Sequence, residues 1–154
     1  MAPVPGPVEK QGAGLLFVCE GDALVLLRAN TKHNLGTWGL PGGNQEAGDP
    51  SLFDTARREA TEEMGALPPF KVLGEIKTVR GKRGQKHYSV FVADLARKQR
   101  DAWAPALNSE HSQWLWVPVA NLSSVPLHPV VDLLIRPEGY QPALLACLKA
   151  AAAP

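Results

Sequence analysis

The sequence predicts an α/β fold in which helices lie on both faces of a mixed β-sheet. Short apolar runs bounded by turn residues alternate with longer segments of helical periodicity, and this mixture is typical of a sheet packed against helices. With 154 residues, 45% of them hydrophobic, the chain can bury one substantial core. We therefore expect a single domain over residues 11–154, preceded by a flexible tail over residues 1–10.

Five segments are predicted to be strands because they are short, apolar and bounded by turn residues. They are residues 15–19, 23–28, 70–80, 85–94 and 113–117. The first two should pair as a hairpin around the Glu-Gly-Asp turn at residues 20–22. The third and fourth should pair across the basic turn at residues 81–84, which begins and ends in glycine. Pro118 should end the fifth strand.

Three segments are predicted to be helices: residues 50–64, 128–135 and 143–153. The first has two candidate starts. Asp49 can be the N-cap with Pro50 at the first helical position, or Ser51 can cap the helix one register later together with Asp54. Gly65 provides a stop at the C-terminal end, because glycine readily adopts a positive φ.

One face of the first helix carries three glutamates, Glu59, Glu62 and Glu63, within an arc of roughly 100°. Their like charges repel one another, and the negative end of the helix dipole disfavours them further. A bound cation would reverse both effects, and hard cations such as Mg²⁺ prefer oxygen ligands. The alternative is a solvated charged run in which the preceding arginines pair with the glutamates. The glycine-rich loop over residues 42–48 favours a metal site that holds a phosphate.

The loop and the helix together resemble the signature of the Nudix, or MutT-type, hydrolases. Gly43 corresponds to the opening glycine of that signature, and residues 58–66 match its closing block. The sequence departs from the pattern twice: Asp49 stands where the family has glutamate, and eight residues instead of seven separate it from Arg58. The longer spacing resembles that of the coenzyme A diphosphatase branch. Residues 36–43 also resemble the strand that approaches the motif in this family.

The resemblance implies a Nudix-type α/β/α sandwich and a divalent-metal hydrolase. In the family pattern, Mg²⁺, with Mn²⁺ as the alternative, is bound by the carbonyl oxygen of Gly42 and the carboxylates of Glu59 and Glu63. Glu62 would then bind a second ion or a water. The metal would neutralise phosphate charge and activate a water, whose proton Glu62 or Glu59 would accept. Arg58 is expected to orient a glutamate through a bidentate ion pair.

Six residues are candidates for substrate binding: Arg28, Lys32, Arg83, Lys86, Tyr88 and Glu110. The cations near residues 81–84 suit a polyphosphate, although solvated charge at a hairpin tip is the alternative explanation. Some relatives place a metal ligand or base at the position of Glu110, and an ordinary loop carboxylate is the alternative. Trp38, Trp114 and Trp116 can stack on a base or belong to the core, and strand alternation leaves both interpretations open.

The resemblance predicts a Mg²⁺-dependent pyrophosphohydrolase that converts a nucleoside triphosphate to a nucleoside monophosphate and pyrophosphate. The alternative substrate is a nucleoside diphosphate linked to another moiety, such as a sugar, coenzyme A or a dinucleotide polyphosphate. A noncatalytic Nudix-like binding module is a third hypothesis. All three glutamates of the helix are present, which disfavours it.

Composition limits the expected partners and location. A formal net charge of +1 provides no electrostatic basis for binding nucleic acid polymers or an anionic membrane. Residues 1–7 do not resemble a signal peptide, and no apolar run approaches the roughly 20 residues of a membrane span. Cys19 and Cys147 form no recognisable metal or disulfide motif. We expect a cytoplasmic monomer or homodimer that binds a small nucleotide.

Overall fold

The five predicted strands and two further short strands form one seven-stranded sheet with helices on both faces, which confirms the predicted fold class. The computed structural model describes residue 8 and residues 10–152. Within them the strands are β1 (Lys10–Cys19), β2 (Asp22–Arg28), β3 (Trp38–Gly39), β4 (Gly42–Asn44), β5 (Lys71–Arg80), β6 (Lys86–Asp94) and β7 (His111–Pro118). The helices are α1 (Leu52–Met64), α2 (Arg97–Asp101), a 3₁₀ helix (Val119–Ser124), α3 (Pro129–Ile135) and α4 (Gln141–Ala152).

Most of the predicted flexible tail, residues 1–7 and 9, lies outside the described residues, as does residue 153 of the last predicted helix. Lys10, the final residue of that predicted tail, is the first residue of β1. Neither α2 nor the 3₁₀ helix was predicted. No helix in the described part of the chain is long and apolar enough to cross a membrane.

The sheet is mixed, with the order β3-β2-β1-β6-β5, and β4 and β7 pair with β1 and β2 respectively. β1 and β6 are parallel along their whole length, from Lys10 opposite Lys86 to Val18 opposite Asp94. The predicted β1–β2 hairpin forms only at its turn, where two residue pairs are in register. Beyond that turn β2 pairs with β7, whereas β1 pairs with β4 and β6.

Alternation along β1 divides the core into two halves. Leu16 and Val18 face one side and pack with residues of α3 and α4. Leu15 and Phe17 face the other side and pack with residues of α1. Because all four side chains are almost completely buried, β1 is the central strand of an α/β/α sandwich.

The helix α1 begins at the later of its two candidate starts. The Ser51 hydroxyl accepts a hydrogen bond from the backbone N–H of Asp54 at 3.2 Å, so Ser51 is the N-cap. The alternative that Asp49 caps the helix is therefore wrong. Gly65 ends the helix with a φ of 76°, as predicted, and its N–H donates to the carbonyl of Thr61. Ala56 on the apolar face is completely buried against the sheet.

The hairpin of β5 and β6 is confirmed, with Arg80 opposite Lys86 at the end next to the turn. β7 begins two residues earlier than predicted, at His111. Of the three tryptophans considered for base stacking, Trp38 and Trp116 pack against the two cores. The guanidinium of Arg100 also lies 4.4 Å from the ring centroid of Trp116. Trp114 is 40% exposed on the surface of β7.

Candidate active site

Two glutamates of α1 face the short strand β4. Glu63 has a side chain only 3% exposed, and its Oε2 atom accepts a hydrogen bond from the backbone N–H of Gly42 at 2.8 Å. Glu59 lies against Gly43, where a Cβ atom would stand 2.5 Å from its Cδ atom. The side chain of Glu62 is 55% exposed at the edge of this face. The helix therefore directs Glu59 and Glu63 towards the glycine strand.

Arg58 links the glycine loop to the glutamate face. Its guanidinium forms a bidentate pair with Asp49, with N···O distances of 2.9 Å, and its Nη1 atom lies 3.0 Å from Glu59 and 3.2 Å from Glu62. The bidentate partner is thus Asp49 and not a glutamate. These hydrogen bonds, with one from the backbone N–H of Glu46, hold the pKa of Asp49 well below its usual range. Asp49 is therefore a loop anchor.

A second loop adds a further carboxylate and an imidazole. Donor atoms of Glu63, Glu110 and His111 lie within 4.8 Å of one another. The loop is held because the backbone N–H of Asn108 donates to the carbonyl of Glu63 at 3.2 Å. The N–H of Ala29 also donates to the carbonyl of Glu110 at 2.8 Å. Glu110, a predicted candidate, thus lies beside the helix glutamates although 46 residues separate it from Glu63.

The electrostatics of this cluster favour a bound cation. Burial, together with the charges of Glu110 and Glu59, raises the pKa of Glu63 to about 9. Burial also raises the pKa of Glu59. Carboxylates that are difficult to ionise together become favourable once a divalent ion is present, and their oxygens are the ligands that Mg²⁺ and Mn²⁺ prefer. The residues present therefore fit a divalent metal.

His111 is a residue of this site that sequence reasoning missed. Its side chain is 1% exposed, and neither ring nitrogen has a hydrogen-bond partner among the described residues. Its Nδ1 atom lies 3.7 Å from Oε1 of Glu63. Burial lowers the pKa of His111 to about 4, so near neutral pH the ring is uncharged and forms no ion pair with Glu63. The sequence feature that could have identified it is its position directly after Glu110, close to the start of a predicted strand.

Two cavities meet at the glycine strand. The first, of about 350 Å³, contains the carboxylates, and its lining residues include Arg28, Glu46, Glu59, Glu63 and Glu110. The second, of about 370 Å³, has four lysine and arginine side chains in its lining and no carboxylate among the described residues. The two share Arg28 and residues 42–44. A ligand that spans both would therefore place one part among the carboxylates and another among the cations.

The predicted substrate-binding residues separate into two groups. Arg28, Lys86, Tyr88 and Glu110 line one or both cavities. Lys32 and Arg83 are exposed and line neither. Tyr88 reaches the glycine strand because Gly42 has no side chain, and a Cβ atom there would overlap the Tyr88 hydroxyl. Arg80, one of the cations beside the basic turn that suit a polyphosphate, also lines the second cavity, and sequence reasoning missed Lys10, which lines it too.

Comparison with known proteins identifies the family of this fold and site. A family model for the NUDIX domain matches residues 9–137. The chain belongs to the Nudix family. A curated Mycobacterium tuberculosis relative, named "Putative 8-oxo-dGTP diphosphatase 3", is 32% identical over 128 residues, which cover 76% of this chain. The chain spans only 56% of the length of that Nudix relative.

Solved Nudix structures share the fold. A MutT NUDIX hydrolase from Burkholderia pseudomallei has a TM-score of 0.57 and 25% identity, with 80% of this chain and 92% of that chain covered. An Ap4A hydrolase from C. elegans has a TM-score of 0.66 and 20% identity, with 89% and 98% covered. The second likeness concerns the fold alone.

Proposed function

We propose that this Nudix protein is a Mg²⁺-dependent pyrophosphohydrolase that cleaves the diphosphate linkage of a nucleotide. A nucleoside triphosphate, hydrolysed to the monophosphate and pyrophosphate, is the proposed substrate. The observation that carries this proposal is the convergence of Glu59, Glu63 and Glu110 on the glycine strand. The name of the Mycobacterium tuberculosis relative, which specifies a nucleoside triphosphate, supports the same substrate class.

The proposed metal ligands are the carbonyl oxygen of Gly42 and the carboxylates of Glu59 and Glu63, with Glu62 at a second ion. Mg²⁺, or Mn²⁺ in its place, supplies neutralisation of phosphate charge and a bound water of lowered pKa. The N–H of Gly42 fixes the direction of the Glu63 carboxylate through the 2.8 Å hydrogen bond. The backbone of the glycine strand therefore positions Glu63 as a proposed ligand.

We infer that Glu59 is the general base, with Glu62 as the alternative. Glu59 lines the carboxylate cavity, whereas Glu62 does not and is mostly exposed. A general base must lie within hydrogen-bond reach of the attacking water, and of the two glutamates only Glu59 lines this cavity. Arg58 contacts both carboxylates and so holds their orientation, which makes it a positioning residue in this mechanism.

A second candidate function is hydrolysis of a nucleoside diphosphate linked to another moiety. The cation-lined cavity beside the carboxylates provides room for such a moiety. The one-residue extension between Asp49 and Arg58 also resembles the coenzyme A diphosphatase spacing. The complete set of carboxylates disfavours a purely binding role.

The test is a hydrolysis screen with Mg²⁺, in which products are separated by chromatography. Substrates are nucleoside triphosphates, nucleotide sugars, coenzyme A and dinucleotide polyphosphates. Glu59→Gln and Glu63→Gln are each expected to lower kcat by at least about 10²-fold, because both carboxylates act on the reacting groups. Glu138→Gln is the matched control, since Glu138 is exposed and lines neither cavity. Absence of hydrolysis of every compound, or full activity of Glu63→Gln, would refute the proposal.

A further inference from the structure

The cation-lined cavity carries an arrangement of charge that cleavage of a diphosphate does not require. We call it the basic cleft and define it by four of its lining residues: Lys10, Arg28, Arg80 and Lys86. Its lining includes two histidines but no carboxylate among the described residues. The neighbouring cavity, by contrast, contains four glutamates. The whole site is therefore divided into an acidic half and a basic half that meet at Arg28 and the glycine strand.

Three of these cations occupy adjacent positions across the sheet. Lys10 of β1 is the register partner of Lys86 on β6, and Lys86 is in turn the register partner of Arg80 on β5. Side chains at register positions project from the same face of a sheet, and like charges directly opposite each other are destabilising. Repulsion within this row destabilises the folded protein, and a bound anion would offset that repulsion.

The four cations also lack anionic partners. Within the described residues none of them forms an ion pair, although Arg58, Arg97, Arg100 and Arg136 each do. Arg28 donates only to uncharged groups, the hydroxyl of Thr31 and the carbonyl of His33, both at 3.2 Å. The Nε atom of Arg80 is buried and has no hydrogen-bond partner in the described part of the chain. A buried donor in this state is costly unless a ligand satisfies it.

The pKa of the neighbouring His128 side chain is also affected by the positive charge of the basic cleft. His128 lines the basic cleft, and its pKa is lowered to about 4 by burial and by the charges of Arg28 and Arg80. The lining also includes the apolar side chains of Leu40 and Val130 and the ring of Tyr88. A neutral base would be recognised by stacking and by hydrogen bonds to uncharged groups, so four unpaired cations favour an anionic occupant.

We propose that the basic cleft binds a further phosphate of the substrate, beyond the diphosphate that is cleaved. The preferred substrate is then a nucleotide with at least one phosphate more than the scissile linkage requires. This inference rests on the proposed function of the same site. Phosphate is the expected group because guanidinium and ammonium donors arranged in a row match its oxygens.

The first test measures binding and does not depend on catalysis. Inorganic tripolyphosphate is titrated into the whole protein in EDTA by isothermal calorimetry at low and high salt. Arg80→Gln and Lys86→Gln are each expected to weaken binding by about tenfold or more, because each removes a charge-assisted contact. Lys77→Gln is the matched control, since Lys77 is exposed on β5 and lies on the opposite face from Arg80. Thermal melting establishes that each variant is folded.

The second test compares pairs of substrates that differ by one phosphate: ATP with ADP, NADPH with NADH, and coenzyme A with dephospho-coenzyme A. For at least one pair, kcat/KM is expected to be about tenfold higher for the compound with more phosphate, and Arg80→Gln should abolish that preference. Equal kcat/KM within every pair, or equal loss by both members in Arg80→Gln, would overturn the inference. Absent hydrolysis with intact, Arg80-dependent tripolyphosphate binding would refute the proposed function and leave the basic cleft supported.

Discussion

Alanine substitutions at the two glycines of β4 are predicted to have different effects: one should lower activity and the other should lower stability. At Gly43, a methyl group would stand 2.5 Å from Cδ, 2.6 Å from Oε1 and 2.8 Å from Oε2 of Glu59. All three atoms belong to the far end of a flexible side chain, which can move away without disturbing the backbone. Gly43→Ala should therefore leave the fold intact and displace the proposed base.

The magnitude follows from these distances. Ordinary contacts between carbon atoms are about 3.5–4.0 Å, so the carboxylate of Glu59 must shift by about 1 Å. A misplacement of that size in a catalytic group lowers kcat by about 10²-fold. The free energy of unfolding should change by less than about 1 kcal/mol, because the moved group is partly exposed and alanine restricts the unfolded chain. At Gly42 the same methyl group would meet the Ala13 carbonyl at 2.5 Å and Cα of Gly14 at 2.7 Å. Gly42→Ala should therefore destabilise the protein by about 1–3 kcal/mol or more.

The assay combines urea unfolding with steady-state hydrolysis of the best substrate from the screen. Gly48→Ala is the control, because nothing lies within 4 Å of a Cβ atom at that position. It should leave both measurements unchanged. An active Gly43→Ala variant with wild-type kcat would refute the reasoning that Glu59 must remain against the glycine strand.

Three further predictions concern the metal, a histidine and a helix cap. Mg²⁺ should raise the melting temperature of the wild-type protein but not of Glu63→Gln, since an ion that binds only the folded state stabilises it; thermal scans with Mg²⁺ and with EDTA check this. Burial lowers the folded-state pKa of His128 from 6.5 to about 4. Between these two values the unfolded chain binds a proton at this residue and the folded protein does not. The stabilisation due to neutral His128 is therefore complete above pH 6.5 and is lost as the pH falls towards 4. Urea unfolding at pH 7 and pH 5 should show a decrease on the order of 1 kcal/mol larger for the wild type than for His128→Asn, which keeps a capping acceptor; equal decreases would contradict the assignment. Ser51→Ala should lower the free energy of unfolding by about 1 kcal/mol without changing kcat, and an unchanged urea midpoint would show that Ser51 is not the cap.

The parts of the site that lie close together in the chain were predictable, and the parts that depend on long-range pairing were not. The glutamates of α1 share a face because helical geometry fixes positions three and four residues apart. The contact between Glu63 and His111 depends on where a distant loop packs, and no local pattern determines that. Residues 42–44 carry too few side chains for a strand signal, yet they pair with residues 12–14, where glycines allow the backbones to approach.

The partner of β2 illustrates the same limit. A turn at residues 20–22 indicates a hairpin, and the turn forms with positive φ at Glu20 and Gly21. Several apolar strands of similar pattern can compete to pair along the remaining length of β2. β7 pairs with β2 over most of its length, and this choice places Glu110, which precedes β7, beside Arg28 at the end of β2.

The location of the extra residue between Asp49 and Arg58 determines which part of the site it can affect. α1 is continuous from Leu52 to Met64, so the spacing of its glutamates is that of an ordinary helix and cannot contain an insertion. The extension therefore lies ahead of these glutamates, in the segment where Ser51 caps the helix and Asp49 instead pairs with Arg58. The proposed metal-binding face is consequently independent of the extension. We therefore expect substrate choice to depend on groups beyond this face, and the row of cations in the basic cleft is one such group.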